Sequence, residues 1–308
     1  MNKAARSSES KKVIMVTLAG NILLAAVKIT LGIIAASAAL VADGFHSLSD
    51  ITTTLGVLIS LYISQQPPDE NHHYGHRQAE PLAATGIGIF LLIIALLLGR
   101  NMILRVIESR LTFPTNIALA GVGISILVKE FLYRYVIRIA RRTQNAALEA
   151  DAWHHRSDVA SSLAAGIGII GARLGFPLLD PIAGLVVSLL ILRVALQLLC
   201  RAMVQLLGRG PAPEKLAAIE ETIAEVEGVV EVMEIKGLYH GPELYLDVKL
   251  TVPRDIRVDL GHEISAVVRE RVEAIYQEAE EVLIHVEPAE ITVGEIKEDL
   301  KEVENRLE

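Results

Sequence analysis

Residues 42–50 read Ala42-Asp43-Gly44-Phe45-His46-Ser47-Leu48-Ser49-Asp50, and residues 150–158 read Ala150-Asp151-Ala152-Trp153-His154-His155-Arg156-Ser157-Asp158. Both follow one pattern: Ala-Asp-x-aromatic-His-x-x-Ser-Asp. A histidine and an aspartate four residues apart share one helix face, one turn above the other. Two such helices facing each other offer two nitrogens and two oxygens, a tetrahedral set for a divalent metal such as zinc. Both copies fall at hydrophobic segments, where ionisable groups are expensive and mark function by default. Passage of a metal ion across a membrane is the expectation that follows.

Working outward, the 308 residues are 52% hydrophobic, too apolar for an ordinary soluble chain. Apolar runs occupy 13–36, 38–63, 82–103, 117–139, 150–172 and 178–203. Each approaches the roughly 20 residues that cross hydrocarbon. Six spans are expected, the fifth being a poor one by hydropathy because it opens on the second His-Asp copy. A polar span survives when its polar groups face a protein cavity. The first run is too long and lacks the small-residue cleavage site of a removed signal. Cys200 is the sole cysteine, which excludes intramolecular disulfides and thiolate clusters.

The net charge of −8 hides two unlike halves. Residues 1–209 hold 19 Lys and Arg against 12 Asp and Glu, and residues 210–308 hold 10 against 25. No basic face points to nucleic acid. The acidic half reads as a soluble domain that gathers cations or simply stays in solution. Lys and Arg crowd the loops that an inward N-terminus would place in the cytosol, so both termini are expected there, in a prokaryotic plasma membrane.

Gly208, Gly210, Pro211 and Pro213 mark the exit from the last span. Beyond them the pattern gives helix over 213–226, strand over 229–238, a His240-Gly241-Pro242 turn, strand over 244–252, helix over 259–276 and strand over 282–286. The order αββαβ predicts a small α+β domain with helices on one face of a sheet. The expected organisation is a tail at 1–12, a membrane domain at 13–208, a cytosolic domain at 209–290 and a charged tail at 291–308.

Three clusters carry candidate chemistry. The first is His46, Asp50, His154 and Asp158. Four protein ligands leave no open position for an activated water, which argues against hydrolysis and for transport. Asp43 and Asp151, three residues before each histidine, are either outer contacts, part of a proton exit, or helix caps. The second is Asp69, His72 and His76, with Glu70 a further oxygen and His73 a bystander. Their i, i+3, i+7 spacing fits one face of two helical turns. The third is Asp247, His262 and His285, with His240 and Glu287 as further candidates. Lys28 and the Lys129–Glu130 pair lie inside spans and either snorkel or pair within the bundle. Glycines such as Gly32, Gly86 and Gly123 are read as sites of close helix packing. There is no phosphate-binding Gly loop, no HExxH and no GxSxG, so an ATP-driven pump or membrane protease is not expected.

With the doubled motif, the six runs and the acidic C-terminal domain, the chain resembles the cation diffusion facilitator family of divalent-metal/proton antiporters over residues 13 to about 288. The paired His-x-x-x-Asp motifs resemble its zinc-transporting branch. The resemblance implies a homodimer in the lipid bilayer, each protomer with its own alternating pathway for Zn²⁺ and protons, and a metallochaperone-like C-terminal domain. It also implies a loop site, since 69–76 is similar to the family's D-x-x-H-x-x-x-H and Tyr74-Gly75-His76 to its aromatic-Gly-His. His262 and His285 match metal-binding positions of the family's soluble domain. Met233 and Lys249 depart from it, where many relatives carry histidine. Arg77 and Glu80 resemble an ion-pairing region in which the family's lysine is here Gln78. Cadmium, cobalt and ferrous iron stand as alternatives to zinc, with manganese disfavoured by the two imidazoles. A metal-sensing scaffold and a passive channel are the other function classes.

Overall fold

The computed structural model describes residues 3–143 and 145–289. The expected charged tail at 291–308 lies outside them. Two compact units divide between Met203 and Val204.

The first unit holds six long helices: α1 (Lys3–Ile34), α2 (Ala38–Ser64), α3 (Ala79–Ile107), α4 (Asn116–Thr143), α5 (Ala146–Arg173) and α6 (Leu179–Leu206). α1 starts at Lys3, inside the segment read as a tail. In α3 the buried residues Gly88, Leu91, Ala95, Leu98 and Met102 recur at steps of three and four. That narrow seam packs against Ala42 of α2 and Val187, Ile191 and Ala195 of α6. The rest of α3 leaves Leu82, Ile93, Leu96 and Leu97 on the surface, the inverse of a soluble protein and suited to lipid.

The expectation of six apolar spans holds for five. Lys12–Ile34, Ala38–Ser64, Ala79–Ile107, Asn116–Thr143 and Leu179–Leu206 are long and apolar enough to cross a membrane. α5 has 28 residues, about 42 Å of helix, so length is not its deficit. Asp151, His154, His155, Arg156, Ser157, Asp158, Ser161 and Ser162 make it too polar.

Close approach of α1 and α2 depends on two glycines. A Cβ at Gly32 would lie 2.8 Å from the Val41 backbone nitrogen, and one at Gly44 would lie 3.0 Å from that of Ile29. Gly86 and Gly123, by contrast, have no atom within 4 Å of such a Cβ, so packing within the chain does not explain them. α2 begins at a cap: Ser37 Oγ accepts from Leu40 N (3.2 Å) and donates to Asp180 Oδ1 (2.7 Å). Asp180, in the first turn of α6, also accepts from Ala38 N (2.6 Å), placing a carboxylate on the positive end of α2. Ser37 is therefore the cap of α2, and Asp43 is not.

The second unit has the order expected: α7 (Pro213–Ala224), β1 (Glu231–His240), β2 (Glu243–Val252), α8 (Val258–Ile275) and β3 (Ala279–Pro288). β2 is central, antiparallel to β1 and parallel to β3. Gly241, at φ +64°, makes the hairpin turn with Pro242. Strict alternation along β2 buries Leu244, Leu246, Val248 and Leu250 with Ile219 and Ile223 of α7 and Val268 and Val272 of α8. Asp247 lies on the other, open face with its cross-strand partners Lys236 and Leu283.

Candidate metal centre

Helical spacing puts Asp43, His46 and Asp50 on one side of α2, and His154, Asp158, Ser161 and Ser162 on one side of α5. The two sides meet. His46 Nε2 lies 3.8 Å from Asp158 Oδ1, and His154 Nε2 lies 3.6 Å from Asp50 Oδ1 and 3.9 Å from Asp158 Oδ1. Ligand atoms of His46, Asp50 and Asp158 all fall within 4.8 Å of one another. Zn–N and Zn–O bonds near 2.0–2.1 Å imply tetrahedron edges of about 3.4 Å, so these separations are somewhat wider than coordination requires, and His154 is not in the three-residue group. His46 Nδ1 and Asp50 Oδ2 are buried without a hydrogen-bond partner. Unpaired buried polar atoms of that kind are suited to a further partner such as an ion. Asp158 is buried at 4% exposure, whereas His154 is 53% exposed and forms the open side.

Two lysines complete the centre. Lys129 of α4 donates to Asp158 Oδ2 at 2.6 Å and lies 3.8 Å from Asp50 Oδ2. Lys28 of α1 lies 2.8 Å from Asp43 Oδ2 and donates to Ser47 Oγ and Ser162 Oγ, both at 3.1 Å. Asp43 also accepts from Ser161 (3.0 Å) and Ser162 (2.7 Å). Asp43 thus ties α1, α2 and α5 together with its charge fully matched. Asp151 faces His155, at 3.6 Å, and caps nothing. Lys129 and Glu130 do not pair with each other, since Glu130 takes Arg134 at 2.6 Å. Neither lysine snorkels: both are fully buried.

The 69–76 segment is a loop, not the two helical turns its spacing suggested. Its three side chains meet for another reason. Asp69 Oδ1 accepts from the backbone nitrogens of Asn71 (2.8 Å) and His72 (2.7 Å), and Gly75, at φ +74°, turns the chain back. His72 Nδ1 then lies 3.0 Å from Asp69 Oδ1, and His76 Nε2 3.4 Å from Oδ2. The Asn71 N–H, then the His72 backbone and ring, hold the Asp69 carboxyl below its usual range. His76 Nδ1 is buried without a hydrogen-bond partner. Glu80 accepts from Ser64 Oγ at 2.7 Å.

Within one copy of the soluble unit, Asp247, His262 and His285 do not form a ligand cluster among the described residues. Asp247 and His285 lie on the open sheet face, and His262 is on α8, which packs on the opposite face. His285 Nε2 lies 3.2 Å from Glu287 Oε1, and Lys249 Nζ lies 2.7 Å from the same oxygen. The Lys249 ammonium is the main reason the Glu287 carboxyl sits low. His240 packs edge-on against Tyr245 at 5.8 Å.

Two family profiles cover most of the sequence. The cation efflux transmembrane domain matches residues 14–207, and the cytoplasmic domain of cation efflux proteins matches residues 211–289. The chain belongs to the cation efflux, or cation diffusion facilitator, family. Cation efflux proteins are transporters of divalent metal ions, not enzymes, and this one is an integral membrane protein with a cytoplasmic C-terminal domain. An uncharacterised transporter of Methanocaldococcus jannaschii is 35% identical over 280 residues, covering 91% of this chain and 98% of its own. The manganese efflux system protein MneP of Bacillus subtilis is 33% identical, over 92% and 97%. The magnetosome protein MamB of Paramagnetospirillum magneticum is 29% identical, over 84% and 88%. The match is to the cation efflux family as a whole rather than to a zinc branch of it.

The sequence pattern named the histidines and aspartates of this cluster but gave Lys129 no place in it. The signal was a lysine in an otherwise apolar run. Ser161 and Ser162, three and four residues beyond Asp158, were equally visible as a polar extension of its helix face.

Proposed function

We propose that the chain exports Zn²⁺ from the cytosol in exchange for protons, through His46, Asp50, His154 and Asp158. The observation that carries this reading is the gathering of His46, Asp50 and Asp158 ligand atoms within 4.8 Å of one another inside a helical bundle, with His154 Nε2 3.6 Å from Asp50 Oδ1. Two nitrogens and two oxygens suit zinc's tetrahedral preference. The carboxylates offset the ion's charge where the dielectric is low. Only the neutral imidazole ligates, and its unperturbed pKa of about 6.5 lets protons compete for the same lone pair. Protons arriving from outside then release the ion there, and proton exit inside readies the ligands again. In this reading α5 is the fifth of six spans, its polar face turned to the cavity.

The exporter works as a homodimer with both termini in the cytosol. Asp69, His72 and His76 form a second, exposed metal site that captures ions near the entrance. Asp247, His262 and His285, with His240 and Glu287 nearby, contribute a weaker cytosolic site that needs two copies of the domain. Support for the pairing comes from the open sheet face, where Met233, Leu238 and Leu283 are exposed beside Asp247 and His285.

A manganese reading is favoured by one observation, the 33% identity to MneP across nearly its whole length. Zinc and manganese flux into proteoliposomes, each with and without a pH gradient, separates the two. Zinc flux driven by the gradient and exceeding manganese flux supports the proposal. Manganese flux in excess would transfer the site to that ion, and flux indifferent to the gradient would end the antiport reading.

A further inference from the structure

Lys28 and Lys129 are both fully buried, yet they are held differently. Lys28 is committed on three sides, to Asp43, Ser47 and Ser162. Ser162 is itself fixed by Asp43 and lies 2.8 Å from Ser125 of α4. Lys129 makes one hydrogen bond among the described residues, to Asp158 Oδ2 at 2.6 Å, and leans toward Asp50 Oδ2 at 3.8 Å. Both of its partners belong to the proposed transport site. Its ammonium sits on a flexible four-carbon stem, so it can leave one oxygen without moving its helix.

We propose that Lys129 is a tethered counter-cation of the empty carrier, holding Asp158 and Asp50 when no metal is bound and yielding them when an ion arrives. The inference rests on the quartet being the transport site. Two carboxylates buried together without a cation are strongly disfavoured. With the ammonium present, the empty centre carries one net negative charge, counting Asp50, Asp158 and Lys129. With a divalent ion added it carries one net positive charge. Without Lys129 the empty, unprotonated centre would carry minus two, with protons alone left to offset it. The lysine therefore steadies the empty centre whenever its histidines are unprotonated, at the expense of affinity, because ammonium and metal contend for the same oxygens. The exchange is one of position: the ammonium keeps its charge and moves aside.

The test is zinc affinity of the full-length protein in nanodiscs, by competition with a chromophoric chelator. Sites missing from Asp50→Ala/His154→Ala define the membrane site. Lys129→Met and Lys129→Gln should each bind zinc there at least tenfold more tightly than the parent, while turnover in proteoliposomes falls. Damage to the fold would lower affinity, so tightening is not expected of a merely structural lysine. Lys129→Arg keeps a charge and offers a two-pronged donor to both carboxylates, so it should bind zinc more weakly and transport it more slowly. If neither neutral variant folds, the arginine variant decides. Unchanged or weaker affinity in a folded neutral variant, or parent-like binding and transport by Lys129→Arg, overturns the proposal. If Asp50→Ala/His154→Ala loses no zinc site, the quartet reading itself has failed.

Discussion

The membrane cluster and the loop cluster use the same two ligand types, histidine and aspartate, but assemble them in opposite ways. The first draws His46 and Asp50 from α2 and His154 and Asp158 from α5, more than a hundred residues apart, and adds Lys129 from α4. The second takes Asp69, His72 and His76 from one turn, shaped by backbone hydrogen bonds to Asp69 itself. Burial accounts for the contrast. In the bundle two buried carboxylates of this cluster carry a counter-charge, Asp158 from Lys129 and Asp43 from Lys28. In the loop, water screens the charges and no lysine is required. The same substitution should therefore have unlike consequences in the two places.

The largest effect is expected at Asp158. Asp158→Ala removes a ligand and strands the fully buried Lys129, so zinc flux should vanish and the fold should lose about 3–5 kcal/mol. His46→Ala strands no charge and should abolish flux with little loss of thermal stability. Flux assays and thermal unfolding in detergent, run on both, check the pair. Equal stability of the two variants would mean that Lys129 does not depend on Asp158.

Next is the structural pair. Lys28→Met should destabilise by about 3 kcal/mol, since it leaves Asp43 buried with serine donors alone. Lys28→Met/Asp43→Asn should recover much of that loss, which a double-mutant cycle of unfolding measurements would detect. Strict additivity would show that the two groups are not coupled.

A smaller change is expected from His46→Asp, which trades an imidazole for a carboxylate. The manganese-to-zinc flux ratio should rise roughly tenfold. An unchanged ratio would place ion selection outside the quartet.

In the loop, Asp69→Ala should slow zinc flux only a few-fold, and only at low zinc. The Asp69 carboxyl is held low by the Asn71 and His72 N–H groups. A depressed carboxyl stabilises the loop above its unfolded value, about 3.9, and that support is lost as pH falls through the lower folded value. Protection of the Asn71 and His72 amides, taken relative to their intrinsic exchange rate at each pH, should therefore hold from neutral pH downward and be lost only in acid below the ordinary carboxylate range. Loss of all flux in Asp69→Ala would make the loop part of the obligatory path.

The sequence made the bundle legible because one short pattern recurs at helical spacing, and the soluble domain legible because β2 alternates so strictly. Two features escaped it for physical reasons, and a third, the role of Asp43, was left open by it. The 69–76 spacing fits a helix face, but Asp69 captures nearby backbone N–H groups and the positive φ of Gly75 ends any helix, so a turn wins. Asp43 has the composition of a cap, yet Ser37 and Asp180 already occupy the start of α2. Lys129 reaches Asp158 only after α4 and α5 pack, and no local pattern encodes a partner 29 residues away.

The most direct test of the transport site is zinc uptake into proteoliposomes under an imposed pH gradient, comparing the parent with Asp50→Ala/His154→Ala. This pair leaves the 2.6 Å Lys129–Asp158 contact in place, so the fold should survive. The parent should take up zinc in proportion to the gradient, and the variant, folded, should take up none. Gradient-driven uptake by the variant at the parent's rate would contradict passage through His46, Asp50, His154 and Asp158.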